Sequence, residues 1–237
     1  MSYFIDFVNK YAPLIWLSLE ILAALTGLIV YKKYKHTVNK YFIWFLVYIV
    51  FMDIIGRYSY WVVGNGSLNF LQGTVLEQNY WWFTIFWNVA SVLFFGGYYL
   101  KLINNKLRKK ILKISLAIFL FISVFSILIT LPKFFYGDIN IIGISGTVII
   151  LQCVFYYFFE VLQSDKILDF YKSLAFYISC AVLILWLVQT PLTFFEMYNK
   201  AYDMDYVNLR NYINLLVISF MYITYTVGLI VSKPEYD

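Results

Sequence analysis

Seven times along this 237-residue chain an apolar run reaches about 20 residues, the length an α-helix needs to cross the hydrocarbon of a bilayer. The windows are 12–31, 41–63, 80–100, 111–131, 139–162, 174–196 and 212–231, and the connections between them are only 7 to 16 residues long. Residues are 62% hydrophobic and 13% charged, and the mean hydropathy is +0.75. These values exclude an ordinary soluble domain. The expected fold class is an all-α membrane protein, a single seven-transmembrane helix bundle occupying residues 1–237, with the lipid bilayer as its solvent. Met1 to Tyr11 holds Asp6 and Lys10 and no apolar core, so the first span reads as a retained signal anchor rather than a cleaved leader.

Charge sets the expected orientation. The connections after spans one, three and five, together with the tail, carry twelve Lys or Arg residues; the opposite segments carry four, Lys10, Lys133, Lys200 and Arg210. The positive-inside rule then puts the N-terminus outside and the C-terminus in the cytoplasm of a multi-pass plasma (inner) membrane protein. It also accounts for the net charge of +5 without a nucleic-acid partner. Tyr60, Trp61, Tyr80 to Trp82, Tyr98, Tyr99, Tyr156 and Tyr157 fall where spans leave the hydrocarbon, as in an interfacial aromatic belt. Trp16, Trp44, Trp87 and Trp186 lie deeper, where packing is the default. Span four has only Ser and Thr as polar residues beyond Lys113 and is expected to face lipid most.

Ionisable groups inside a span are costly, about 2.5 to 3.5 kcal/mol each on insertion scales, and so point to a paired interior. Span two carries Asp53 and Arg57, four residues apart and therefore on one helical face. At about 1.5 Å per residue from the outer ends, Glu20 lies about 12 Å deep, Arg57 about 9 Å, Asp53 about 15 Å, Asn88 about 12 Å and Gln189 about 10 Å. The expected site is this outer-half slab, with Arg57 held between Glu20 and Asp53. Two acids against one base leave a carboxyl that must be protonated, solvated or matched by a ligand; the plainer reading is interhelical glue. Pro191 in Gln189-Thr190-Pro191 removes a backbone donor near the outer end of span six, where a bend can open a pocket. Glu160 and Glu196 sit near span ends and can snorkel.

Several chemistries are excluded. Gly143-Ile144-Ser145-Gly146 is similar to the rhomboid protease motif, but the one histidine, His36, lies in a connection and offers no base. The Gly143/Gly146 spacing suits close helix approach instead, and if the protein works as an oligomer, Gly143, Gly146, Gly96 and Gly97 are candidate close-packing points. Cys153 and Cys180 read as apolar filler, and no ligand set exists for haem, zinc or copper. Span seven has no Schiff-base lysine for retinal, and no phosphate-binding glycine loop is present. No cofactor or catalytic residue is expected. Asn65-Gly66-Ser67 matches a glycosylation acceptor within a turn.

The topology resembles G-protein-coupled receptors and SWEET-type sugar transporters, whose signature motifs are missing: Arg57-Tyr58 follows Gly56 on span two, span seven has no Asn-Pro-x-x-Tyr, and the prolines do not repeat. From Tyr156 to Met197 the chain resembles the closing helices of poorly characterised bacterial seven-helix inner-membrane proteins, some encoded near histidine kinases. The resemblance implies a bacterial membrane protein and no particular site. The functional expectation is a non-enzymatic, receptor-like sensor that binds a small ligand in an outer-half polar cavity and signals through a membrane or cytoplasmic partner. The alternatives are a small transporter or channel using intramembrane carboxylates, and an oligomeric interaction subunit or defence effector working as a homo-oligomer.

Overall fold

The computed structural model describes residues 2–63, 66–198 and 204–234. The side chains of 2–7, 9, 165–166 and 196–198 lie outside what is described, so the expectations for Glu196 and Asn65 fall beyond it. Among the described residues, seven helices are long and apolar enough to cross a membrane. They are α1 (Ser2–Ile29), α2 (Asn39–Gly56), α3 (Tyr80–Leu102), α4 (Lys106–Ile129), α5 (Asn140–Leu162), α6 (Leu174–Tyr198) and α7 (Met204–Val231). Among the described residues there is no strand, only an isolated bridge between Ser173 and Lys233.

Helix ends depart from the apolar windows for local reasons. Hydrogen bonding continues α7 back to Met204, eight residues before its apolar window, because Asp205 and Arg210 lower hydropathy without breaking a helix. At the start of α4 the Asn105 side chain accepts from Leu107 N (2.9 Å) and Arg108 N (3.1 Å), an N-cap that satisfies two otherwise orphaned donors.

The chain divides into two compact units. In the first (1–47 and 157–237), α7 packs against both α1 and α6. A Cβ placed on Gly228 would lie 2.7 Å from Tyr177 Cβ, so α6 and α7 touch closely at this end because residue 228 has no side chain. Beyond that crossing, Tyr34 Oη is buried within reach of Leu229 O (3.1 Å), Ser232 O (3.2 Å) and Ser232 Oγ (2.7 Å). Lys33 Nζ donates to Leu229 O (3.3 Å) and Ile230 O (3.1 Å), and Lys233 N to Lys172 O (2.7 Å). A cation and a phenol thus satisfy the last carbonyls of α7, where the helix dipole favours positive charge. Tyr34→Phe is expected to cost about 1 to 2 kcal/mol and to raise amide exchange over residues 228–234 more than elsewhere. Uniform exchange along α7 would show that the clamp does not hold this end.

In the second unit (48–156), α3 packs against α4, and the first turn of α3 against the short helix Leu131–Tyr136. Neither α2 nor α3 is uniform. At Gly56 α2 passes into a 3₁₀ turn, Arg57–Trp61, and residues Thr84–Val89 of α3 form a π-helix. A wide π turn leaves backbone groups open to outside partners, and Tyr48 Oη of α2 donates to Phe86 O at 2.7 Å. Where the α-helical part of α2 ends, Trp82 Nε1 donates to Met52 O (2.9 Å) and Asn79 Nδ2 to Gly56 O (2.7 Å). The following connection folds back so tightly that a Cβ on Gly66 would stand 2.0 Å from Trp61 O, which admits only glycine.

α4 buries the smallest share of its span, 17% against 22 to 44% for the others, in keeping with Ser and Thr being its only polar residues beyond Lys113. Two expectations need correction. Trp44 does not pack inside: it is 54% exposed, with its ring edge against Tyr31 at 6.0 Å. Inside the chain Gly96 lies tight against the Leu116 side chain, whereas a Cβ on Gly143, expected to let another helix approach, would meet nothing within 4 Å; Gly97, a candidate for contact between copies, also has nothing within 4 Å in its own chain. Small residues permit an approach without compelling one.

Candidate functional site

Each of the five expected site residues has a described place. Asp53 and Arg57 bridge the boundary between the α-helical and 3₁₀ parts of span two. Both Nε (2.9 Å) and Nη2 (2.7 Å) of Arg57 donate to Asp53 Oδ2, with the side chains 24% and 18% exposed. The pair forms because the spacing of four residues survives the change of helix type: its acid lies in the last α turn and its base in the first 3₁₀ turn. Nearby, Tyr58 Oη reaches Leu76 O and Gln78 O, both at 2.9 Å, and accepts from Trp81 Nε1 at 2.9 Å. Asn88 is half-buried within the π segment of the same unit.

Glu20 and Gln189 belong to the other unit. Glu20 is buried on α1 and its Oε1 accepts from Tyr222 Oη of α7 at 2.9 Å. Tyr222 stands edge-on to Tyr225 (6.1 Å), and Tyr225 edge-on to Phe42 (4.9 Å), so the carboxyl is approached by an aromatic cluster with one polar tip. Gln189 Nε2 on α6 donates to Asn214 Oδ1 on α7 at 2.8 Å. The expected clasp of Arg57 by both acids joins residues of different units; within its own unit Arg57 holds Asp53, and Glu20 holds Tyr222.

Tyr222 and Asn214 carry weight that the sequence reading missed. Both sit in a span whose polar residues look like scattered exceptions, and their partners are 202 and 25 residues away. Missed as well were the buried hydroxyls of Thr84, Ser91 and Ser123, which among the described residues have no hydrogen-bond partner and so carry the cost of an unmade bond.

The Pro191 expectation leads to a cavity. Pro191 leaves Leu187 O without its backbone donor, and side chains satisfy neighbouring carbonyls: Thr190 Oγ1 donates to Trp186 O (2.7 Å), Thr193 Oγ1 to Gln189 O (3.0 Å) and Tyr206 Oη to Leu192 O (2.9 Å). Here, at the end away from the tight Gly228 crossing, α6 and α7 enclose a half-open cleft of about 580 Å³. Its walls are Leu187, Val188, Pro191, Leu192 and Phe195 from α6 and Asp205, Tyr206, Leu209 and Ile213 from α7. The Gln189–Asn214 bond joins the immediate chain neighbours of Val188 and Ile213, fastening the two helices beside the cleft. This wall is apolar except for one carboxylate and one phenol, a pattern that binds largely apolar molecules and orients them by a single polar contact. Among the described residues no cluster of three or more His, Cys, Asp or Glu is placed to hold a metal.

No protein-family model matches this sequence, and comparison with curated proteins and with solved structures finds no match either. What the seven apolar helices define is a multi-pass helical membrane protein.

Proposed function

We propose that this protein is a receptor-like membrane sensor that takes a small, largely apolar ligand into the α6–α7 cleft and passes its state to a membrane or cytoplasmic partner. The observation that carries the reading is the cleft itself: about 580 Å³, within the usual size of ligand sites, beside an intramembrane proline and next to Gln189. Asp205 supplies the one charge on the wall, which suits a ligand bearing a cationic or hydrogen-bond-donating group. The proposal keeps the N-terminus outside and the C-terminus in the cytoplasm, on the strength of the Lys-rich connections, and so opens the cleft toward the outer face of a bacterial inner membrane. α7 is the natural link. It walls the cleft near Met204, holds Glu20 at Tyr222 and is clamped by Lys33 and Tyr34 at Leu229 to Ser232.

Leu209→Trp tests this, because Leu209 is exposed on the cleft wall and an indole there fills the space without disturbing the core. In nanodiscs, an environment-sensitive apolar dye is expected to bind the parent and raise its melting temperature; the variant is expected to bind at least about tenfold more weakly while keeping its unliganded stability. Equal dye binding by parent and variant would sink the reading. A transporter is the second reading, favoured by the buried Glu20 carboxyl, which can carry a proton at mid-span. Proton flux in proteoliposomes that disappears in Glu20→Gln would select it, whereas ligand-dependent stabilisation without flux selects the sensor.

A further inference from the structure

We infer, resting on the α6–α7 cleft as the ligand site, that its occupant is a single-chain lipid of the surrounding bilayer with a hydrogen-bond-donating head. Tyr206 meets Leu192 and Asn214 meets Gln189, so α7 runs antiparallel to α6 along the cleft. The wall extends from Phe195 to Leu187 on α6 and from Asp205 to Ile213 on α7, which carries it about 12 Å into the spans from the Met204 end. Both polar groups on the wall, Asp205 and Tyr206, belong to that end, and every wall residue deeper in is apolar. A lipid aligned with the spans is graded in the same order, head at the polar boundary and chain in the hydrocarbon. The volume of about 580 Å³ is that of a site for one drug-sized molecule, which a single chain with a small head is and a two-chain phospholipid is not.

The half-open cleft is also bordered by side chains that face lipid. Leu187, Pro191 and Leu209 on its wall are exposed, and α7 carries the same bare face onward at helical spacing through Leu216, Phe220 and Ile223. Apolar side chains exposed on a spanning helix lie against acyl chains, so a lipid reaches the cleft without leaving the bilayer. The head is constrained by what the polar end offers. Tyr206 Oη commits its proton to Leu192 O at 2.9 Å, and a carboxylate only accepts, so both groups present accepting oxygens to an occupant. A hydroxyl or amine head donates to them; an ionised fatty-acid head sets like charge against Asp205.

Displacement of the apolar dye from the full chain in phosphatidylcholine nanodiscs tests the assignment. Mono-oleoylglycerol is expected to displace the dye at about one tenth of the bilayer mole fraction that oleate requires. Glycerol, the same head without its chain, is expected to leave the dye in place. Asp205→Asn is expected to bring oleate level with mono-oleoylglycerol, because the repelling charge is gone; should that variant not fold, the two lipids compared on the parent decide. Dye that stays bound in the presence of mono-oleoylglycerol, displacement by oleate equally well, displacement by glycerol, or an unchanged difference in Asp205→Asn would overturn the inference and leave the sensor reading standing. A parent that binds no dye removes both.

Discussion

Arg57→Leu is expected to destabilise the protein by about 3 kcal/mol in an SDS-unfolding titration in bicelles, while Asp53→Leu/Arg57→Leu returns to within about 1 kcal/mol of the parent. The asymmetry follows from the geometry. Two N–H groups of Arg57 converge on one oxygen of Asp53, with less than a quarter of either side chain exposed. Removing the base strands a carboxylate at membrane depth; removing both leaves apolar side chains in an apolar surround. Equal losses in the single and double variants would mean that the pair is too solvated to matter. A loss in the double variant that exceeds the single would mean that each group has a role beyond the other, which is what a ligand site at this pair requires.

Gly228→Val is expected to be comparably damaging, about 3 kcal/mol, and to weaken dye binding in the distant cleft. Its Cβ would overlap Tyr177 Cβ at 2.7 Å, and Leu174 Cδ1 at 3.2 Å blocks a sideways escape. Overpacking of this kind forces helices apart rather than letting one side chain turn away. Because α6 and α7 are tight at Gly228 and open at Pro191, separating them at one end alters the angle that shapes the other. Gly97→Ala and Gly143→Ala provide the contrast. With nothing within 4 Å, each is expected to be neutral, or stabilising by up to about 1 kcal/mol through helix propensity. A neutral Gly228→Val in the same titration would show that the α6–α7 crossing can relax.

The features that were legible beforehand share one property: their physics is local. Seven spans could be counted because hydropathy is a property of each window, and the structure's spans fall within a few residues of those windows except where charged residues extend a helix, as at Asp205 and Arg210. The Asp53–Arg57 pair was legible because four residues of helix bring any such pair together. Pro191 marked the neighbourhood of the cleft, because a missing N–H is a fact of the residue itself, although the helix runs on through it from Leu174 to Tyr198.

The sequence alone determined how many apolar spans form, where most of them begin and end to within a few residues, and which of them, α4, buries least of itself. Tertiary structure decided the partners. It gave Glu20 the phenol of Tyr222 and Gln189 the amide of Asn214, turned part of α3 into a π-helix with Tyr48 on its Phe86 carbonyl, and sent Trp44 outward. A lipid-solvated helix has apolar residues on every face, so hydrophobic periodicity does not say which face meets a neighbour. That choice depends on how side chains from distant spans fit together, and no single window contains them both.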